Sequence, residues 1–297
     1  MNAKLPLSIY TNYYADLPAE SQLVKIREAG FTHCELRAPI PFDDERGLAR
    51  QAAKFRARAE SLGLALSQAH GYWGEYLKPG SPEWKKRIGR FKKEIAVAAD
   101  LGVSVVVAHP MNQVKIATAN PGFGPGTAAR LALAHNAEFF GSLADALERS
   151  GARIAIENMP GAEYGGASVD ELLEILDALR GKSFGICLDT GHLNQAGGDI
   201  ARFILKARRR LIATHVHDCL RMPNLDLHIF PLFSSYGGSW IDWGRVRDSL
   251  REIGYRGTFN LETPGEGVSA GTPLWMREKK LAFIRECLDR FLNGEKA

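Results

Sequence analysis

Eight short runs of β-branched and apolar residues alternate with long amphipathic segments along this chain. The runs lie near residues 5–10, 31–37, 64–70, 103–109, 152–158, 184–189, 211–217 and 257–262. Parallel strands need crossover connections long enough to hold a helix, so this alternation is typical of repeated βα units. No Gly-x-Gly-x-x-Gly turn follows the first run, which disfavours a doubly wound open sheet. Eight repeats predict a closed barrel instead.

Local signals mark where the helices begin and end. Ser81 before Pro82 predicts an N-cap with a preorganised first turn, and Ser168 with Glu171 has the spacing of a capping box. Glycines stand where helices should lead into strands, as left-handed C-caps favour: Gly30, Gly63, Gly102, Gly151, Gly181 and Gly254. No low-complexity linker divides the chain. We therefore expect one α/β domain over residues 1–297, a (β/α)8 TIM barrel.

Composition narrows the functional classes. A chain of 297 residues with 45% apolar residues can bury a full core, and its formal net charge of +4 neither demands nor excludes a polyanionic partner. No stretch approaches the roughly 18 uninterrupted apolar residues of a membrane span, and the amino terminus lacks the apolar core of a signal peptide. We expect a soluble cytoplasmic protein. The four cysteines form no Cys-x-x-Cys pair, so any metal must be held by nitrogen and oxygen.

Histidines and carboxylates cluster at the ends of the expected strands. Six of the eight histidines lie there or just beyond: His70, His109, His192, His215, His217 and His228. Four carboxylates occupy equivalent places: Glu157, Asp189, Asp226 and Glu262. A single histidine at a strand end is more often a hydrogen-bonded core residue, but six together with carboxylates predict a metal site. Because barrel active sites lie at the carboxyl ends of the strands, all of these side chains should meet at one face.

Several segments follow one another in a recognisable order. They are Thr32–Leu36, Ile156–Asn158, Leu188–His192, His215–Asp218, Asp226–His228, Gly238–Trp243 and Leu261–Glu262. In this order and at these positions they resemble the xylose isomerase-like TIM barrels. That superfamily holds endonuclease IV alongside sugar isomerases, ketose 3-epimerases and inosose dehydratase.

The resemblance implies a core divalent metal ion, Mn, Zn or Co, held by four residues: Glu157, Asp189, His215 and Glu262. Five more residues match the remaining ligand positions of the trinuclear zinc site of endonuclease IV: His70, His109, His192, Asp226 and His228. The resemblance therefore implies one core metal and up to three metal ions.

Two chemistries fit such a site. The first is a sugar or polyol isomerase or epimerase, or a related dehydratase, in which Glu157 and Glu262 exchange a proton next to a metal-chelated carbonyl. The resemblance then implies substrate contacts from His70, His109, His192, His217, Arg221 and Glu163.

The alternative is a zinc-dependent endonuclease that cuts DNA at abasic sites. The basic residues Lys85–Arg87 and Lys92–Lys93 would favour DNA, and Tyr72 and Trp73 could stack on bases. Apolar residues around the long segment from about Asp218 to Gly238 suit a small molecule better, so a nucleic-acid partner is the weaker expectation. The same segment could instead pack against a second subunit in a homo-oligomer. A non-catalytic metal-binding protein is the third hypothesis.

Overall fold

The computed structural model describes residues 5–42, 44–111, 113–119, 122, 124–161, 165–179, 181–220, 226–233 and 241–294. Eight β-strands lie within the eight runs that the sequence predicts. They are β1 (Leu7–Tyr10), β2 (His33–Leu36), β3 (Ala65–His70), β4 (Val105–Ala108), β5 (Arg153–Glu157), β6 (Phe184–Asp189), β7 (Leu211–His215) and β8 (Phe259–Leu261).

All paired strands are parallel, and each strand from β1 to β7 lies beside its successor in the chain, while β8 pairs with β1. A parallel bridge between Val216 and Leu261 joins the ends of β7 and β8. The Val216 amide donates to the Asn260 carbonyl at 2.7 Å, and the Glu262 amide donates to the Val216 carbonyl at 3.2 Å. These contacts complete the ring, and the prediction of a (β/α)8 barrel is confirmed.

Helices surround the ring. They are α1 (Ala19–Glu28), α2 (Leu48–Ser61), α3 (Pro82–Asp100), α4 (Gln113–Ala119), α5 (Pro125–Gly141), α6 (Ala144–Ser150), α7 (Val169–Ala178), α8 (Thr190–Gln195), α9 (Ile200–Ala207), α10 (Trp243–Glu252) and α11 (Leu274–Asn293). The segments Thr11–Tyr14 and Arg208–Arg210 are 3-10 helices. Among the described residues, no helix combines the length and the hydropathy that a membrane crossing requires.

The capping signals act as expected. The Ser81 hydroxyl accepts the Trp84 amide hydrogen at 3.1 Å at the start of α3, and Ser168 and Glu171 form a reciprocal capping box at the start of α7. All six glycines proposed at helix ends have positive φ angles, between 65° and 101°. These caps fix where each helix stops and the next strand begins.

The core has two parts. A large apolar cluster fills the space between the strands and the helices. A smaller cluster lies inside the ring and consists of Val105, Val107, Ala155, Cys187 and Ala213. Because alternate residues of a strand share a face, Ala155 faces the same way as Glu157, and Ala213 the same way as His215. The interior apolar layer therefore supports the residues at the carboxyl ends of the strands.

Candidate metal centre

Four side chains converge at the carboxyl end of the barrel. Glu157, Asp189 and His215 end β5, β6 and β7, and Glu262 directly follows β8. One ligand atom from each lies within 4.8 Å of the others, and all four residues are buried. Three carboxylates removed from water at this spacing repel one another unless positive charge lies between them. The donor set of three carboxylates and one imidazole suits a divalent transition metal.

The orientation of His215 is set from behind by Glu35, a buried residue of β2. The His215 Nε2–H donates to Glu35 Oε1 at 2.9 Å, and the side-chain amide of Asn260 donates to the other oxygen of Glu35. A carboxylate only accepts, so Nε2 carries the proton and Nδ1 is the free nitrogen. Nδ1 lies 3.2 Å from Glu157 Oε1 and 3.3 Å from Glu262 Oε2.

This arrangement is electrostatically incomplete without a cation. Nδ1 of His215 faces two carboxylate oxygens and has no hydrogen-bond partner among the described residues, so a proton or a metal ion must lie there. Burial lowers the pKa of His215, but the neighbouring Cys187 and the carboxylates of Glu262, Glu35 and Glu157 outweigh burial and raise that pKa well above its usual value. The residues present therefore fit a positively charged ion at the point where Nδ1 is directed.

Glu157 connects the core cluster to a pair of histidines. Its Oε2 lies 3.2 Å from His109 Nε2 and 3.7 Å from His70 Nε2, whereas its Oε1 faces His215. Burial raises the pKa of Glu157, but the neighbouring His215 and His109 outweigh this and hold it well below its usual value. Neither ring nitrogen of the buried His70 has a hydrogen-bond partner among the described residues. Unbonded buried nitrogens are costly, so this pair is also suited to a ligand or metal ion.

A second group of imidazoles lies on the other side of the core cluster. His192 Nδ1 and His228 Nδ1 contact the carbonyls of Asn158 and Glu262 at 2.9 and 2.7 Å, so both donate there. Their Nε2 atoms lie 3.3 and 3.2 Å from the same Oδ2 of Asp226. Burial lowers the pKa values of both histidines, but nearby carboxylates, Asp226 foremost for His228, raise them to about 10 for His192 and about 9 for His228.

Asp189 is held by two contacts besides the core cluster. Its Oδ1 accepts the His192 amide hydrogen at 2.7 Å and caps α8. His217 Nε2 lies 3.0 Å from Oδ1 and 3.1 Å from Oδ2 of the same carboxylate. The His217 ring fits only because position 191 is glycine, since an added Cβ there would lie 1.9 Å from Cε1 of that ring. His217 is fully buried and contacts Asp189, which suits a positioning role, and one of its ring nitrogens also groups with Asp226 and His228 as a possible metal site. Its contact with substrate stays a prediction.

Glu262 differs from the other carboxylates. Burial, reinforced by the charges of Glu157 and Asp189, raises the pKa of Glu262 to about 8, even though His215 and His228 act in the opposite direction. A carboxyl group that holds a proton near neutrality can both donate and accept one, which suits acid–base chemistry. The site thus contains carboxylates in different electrostatic environments within one small volume.

A cavity of about 610 Å³ lies beside this cluster, at the carboxyl ends of β1 and β2. Its lining includes Thr11, Arg37 and Trp73. The Trp73 indole is half exposed and stacks on His70 with 3.7 Å between ring centroids. A volume of this size suits a small organic ligand.

The structure corrects one expectation about nucleic-acid contacts. Tyr72, expected to stack on bases, is fully buried between Phe91 and Phe139, and its hydroxyl donates to the Glu75 carbonyl. The Tyr72 ring is part of the large apolar cluster between the strands and the helices, so it is not available to stack on bases.

The basic residues of α3 are also partly neutralised. Arg87 pairs with Glu94 at 3.1 Å, and Lys93 pairs with Glu45 at 2.8 Å. The expected substrate contacts Arg221 and Glu163 lie outside the described residues.

Two residues of the site were not predicted to belong to it. Glu35 was noted only as part of a motif, although a carboxylate inside an apolar strand could have suggested a buried partner. Asn158 links β5 to β6 through two hydrogen bonds, donating to the Asp189 carbonyl at 2.9 Å and accepting the Asp189 amide hydrogen at 2.8 Å. Its position directly after Glu157 could have indicated that Asn158 belongs to the site.

The sequence matches the family described as xylose isomerase-like TIM barrel over residues 23–287. The chain therefore belongs to this family.

Two curated proteins are similar in sequence. The protein MJ1311 of Methanocaldococcus jannaschii is 31% identical over 134 residues, which span 44% of this chain and only 43% of that protein. The rhizopine catabolism protein MocC of Rhizobium meliloti is 24% identical over 266 residues, which span 83% of this chain and 75% of that protein.

Solved structures of other proteins share the fold. D-psicose 3-epimerase from Clostridium cellulolyticum H10, solved with D-tagatose, matches with a TM-score of 0.75 and 17% identity, covering 97% of this chain and 99% of that one. The IolI protein, solved with a bound zinc atom, matches with a TM-score of 0.74 and 16% identity, covering 97% and 99%. At these identities the likeness establishes the fold.

Proposed function

We propose that this protein is a divalent-metal-dependent enzyme that isomerises or epimerises a sugar or polyol. The observation that carries the proposal is the convergence of Glu157, Asp189, His215 and Glu262 at the carboxyl end of the barrel. D-psicose 3-epimerase and IolI, which was solved with a bound zinc atom, share the fold. The similar protein MocC is named for rhizopine catabolism. These likenesses support a metal ion and a sugar-like substrate.

The four core residues would hold Mn, Zn or Co. When bound, such a cation would polarise a carbonyl of the substrate and ease the loss of a proton from the adjacent carbon. Glu157 and Glu262 each have a carboxylate oxygen close to His215 Nδ1, at 3.2 and 3.3 Å. We assign to these two glutamates the removal and return of the proton, because both have a carboxylate oxygen directed into the same space.

The remaining side chains would orient the substrate. The half-exposed indole of Trp73 provides an apolar platform of the kind that the carbon face of a sugar ring prefers. The cavity of about 610 Å³ next to it has room for the rest of a monosaccharide or a substituted polyol. His70, His109 and His192 would contact substrate oxygens where they do not hold metal, and Arg221 and Glu163 remain predicted contacts.

The core-site assignment is tested by Asp189→Ala. The variant should lose its metal, measured by elemental analysis of protein purified without added metal, and its turnover of ketoses and keto-inositols together. Glu94→Ala serves as the control, because Glu94 is a buried carboxylate that binds Arg87 and Arg90 on α3. An Asp189→Ala protein that kept both metal and turnover would refute the ligand assignment.

The acid–base assignment is tested by Glu262→Gln. The amide keeps the shape of the side chain but cannot accept the proton, so exchange of the substrate C–H with solvent deuterium should fall by about 10² to 10⁴-fold. Nuclear magnetic resonance of the recovered substrate measures this exchange while elemental analysis reports the retained metal. Exchange at the wild-type rate in a metal-containing variant would remove Glu262 from the mechanism.

Cleavage of DNA at abasic sites is the second candidate, favoured by one observation. His70 and His109 on one side, and His192, Asp226 and His228 on the other, flank the core cluster as three metal subsites would require. The burial of Tyr72 and the pairing of Arg87 and Lys93 with glutamates weigh against it.

Metal counting separates the two candidates. A nuclease should contain about three zinc ions per chain and bind abasic duplex DNA in a salt-sensitive manner. Asp226→Asn should then remove one ion and abolish cleavage while the core ion stays. A single ion per chain, unaffected by Asp226→Asn, together with the absence of DNA binding, would exclude the nuclease and leave the sugar-converting enzyme.

A further inference from the structure

A second cavity lies at the other end of the barrel, where the strands begin. Its volume is about 700 Å³, a size typical of small-molecule sites. The amino ends of β2, β4, β5 and β7 line it, together with residues of β3 and the segment that leads into β8. By position along the strands, the interior layer that includes Ala155 and Ala213 lies between this cavity and the candidate metal centre.

Four arginines line this cavity, and no acidic side chain does. They are Arg153, Arg208, Arg209 and Arg256. Within the described part of the chain, none of their guanidinium groups takes part in a hydrogen bond or an ion pair. The neighbouring Arg210, by contrast, pairs with Asp177 at 2.9 Å. Four like charges around one concave surface raise the local potential and attract anions.

Arg153 is the most informative of the four because of its place on β5. It begins the strand and shares a face with Ala155 and Glu157, so it belongs to the inward-facing set. Inward positions of such barrels are normally filled by bulky apolar residues. The Arg153 side chain is exposed, as are those of Arg208, Arg209 and Arg256, so all four guanidinium groups are accessible to an anion that enters the cavity.

Thr258 supplies an independent sign of a ligand. The residue belongs to the lining of the same cavity and is only 6% exposed. Its Oγ1 is buried and has no hydrogen-bond partner among the described residues. Buried hydroxyl groups nearly always have a partner, so a ligand oxygen would satisfy a group that the protein leaves unpaired.

We propose that this cavity binds a small molecule that carries at least two phosphate groups. Guanidinium groups match phosphate oxygens in shape and donate to them in pairs. A phosphate monoester carries about 1.5 to 2 negative charges near neutral pH, so two such groups balance four arginines. The cavity is also much larger than a single inorganic phosphate. The site is independent of the proposed function, because it lies at the opposite end of the barrel.

Inorganic pyrophosphate is the probe, titrated calorimetrically into the full chain at low ionic strength. The test variant is Arg153→Gln/Arg256→Gln, and Arg202→Gln is its matched control, since Arg202 is an exposed arginine of α9 outside the cavity. Asp189→Asn reports on pyrophosphate held at the metal centre instead. Citrate is titrated in parallel to separate phosphate from carboxylate recognition.

We expect saturable binding of one pyrophosphate per chain, weakened at least about tenfold in the double variant and unchanged in the Arg202 and Asp189 variants. Wild-type affinity in the double variant, loss of binding in Asp189→Asn, or tighter binding of citrate would overturn the proposal. If the double variant fails to fold, Arg256→Gln alone decides, because Arg256 is exposed on the loop before β8.

Discussion

Replacing Glu35 by glutamine tests whether the buried carboxylate behind His215 prepares that ring to bind metal. Glu35 accepts hydrogen bonds from two donors, His215 Nε2–H at 2.9 Å and the side-chain amide of Asn260. Glutamine has nearly the same shape but only one acceptor oxygen. One of the two donors must therefore face the N–H groups of the new amide.

The structure sets the size of the effect. Glu35, His215 and Asn260 are all fully buried, so water cannot replace the lost bond. Leaving a buried donor unpaired costs about 1 to 3 kcal/mol, which should appear in the free energy of unfolding of the metal-free protein. Removing the hydrogen-bond partner of a metal-binding histidine typically weakens metal affinity about 10 to 100-fold. Glu35→Gln should show both losses.

Metal affinity is measured by competition with a chromophoric chelator, and stability by urea unfolding. Glu94→Gln is the matched control, because this buried glutamate is bound by Arg87 at 3.1 Å and by Arg90 at 2.9 Å away from the metal centre. It should lose stability without losing metal affinity. A Glu35→Gln protein that is destabilised but binds metal as tightly as the wild type would refute the orienting role.

Three further predictions concern stability. Gly191→Ala should destabilise the fold by at least about 1 to 3 kcal/mol in urea unfolding, because its Cβ would lie 1.9 Å from the His217 ring. Gly89→Ala, in open space on α3, should instead stabilise it by about 0.5 to 1 kcal/mol. Hydrogen bonds from Arg277 lower the pKa of Asp16, so this pair stabilises the fold above the unfolded pKa of about 3.9 and loses that effect as pH falls through the lower folded value. Asp16→Asn should therefore cost at most about 1 kcal/mol at neutral pH, since Asp16 is partly exposed, and nothing in strong acid.

The sequence was sufficient to predict the fold because the apolar runs, the N-caps and the C-cap glycines all indicated the same strands and helices. Strand positions followed from apolar runs, helix starts from Ser81 and Ser168, and helix ends from glycines at positive φ. The observed strands are shorter than the predicted runs at their ends, as β8 shows with only Phe259–Leu261. The hydrogen bonds between strands end before the apolar runs end. The length of an apolar run therefore overestimates the length of the strand.

The sequence predicted which residues form the candidate site better than it predicted how their side chains contact one another. The strand ends of a parallel barrel must meet, so Glu157, Asp189 and His215 could be brought together from their positions alone. The partner of Glu35 could not be found this way, since His215 is 180 residues further along the chain. Only the closure of the ring places β2 opposite β7.

Side-chain packing determines where the rings of His217 and Tyr72 lie, and the sequence pattern does not predict this. The His217 ring contacts Asp189 in space that Gly191 leaves free. Tyr72 follows a strand end, as the site residues do, yet it faces the aromatic cluster that includes Phe139. Such choices depend on the volume left by neighbours, which strand and helix periodicity does not report.

The hydrogen bonds behind the metal centre decide which nitrogen each histidine presents. His215 gives its Nε2 proton to Glu35, whereas His192 and His228 give their Nδ1 protons to backbone carbonyls. Each acceptor fixes a proton on one nitrogen, so the opposite nitrogen, which faces carboxylate oxygens, either carries a second proton or offers a lone pair. Lone pairs and carboxylates repel one another unless a cation or a proton lies between them. The protons that these histidines take up in the metal-free chain thus lie where we propose that metal ions bind, and they offset the negative charge of the buried carboxylates.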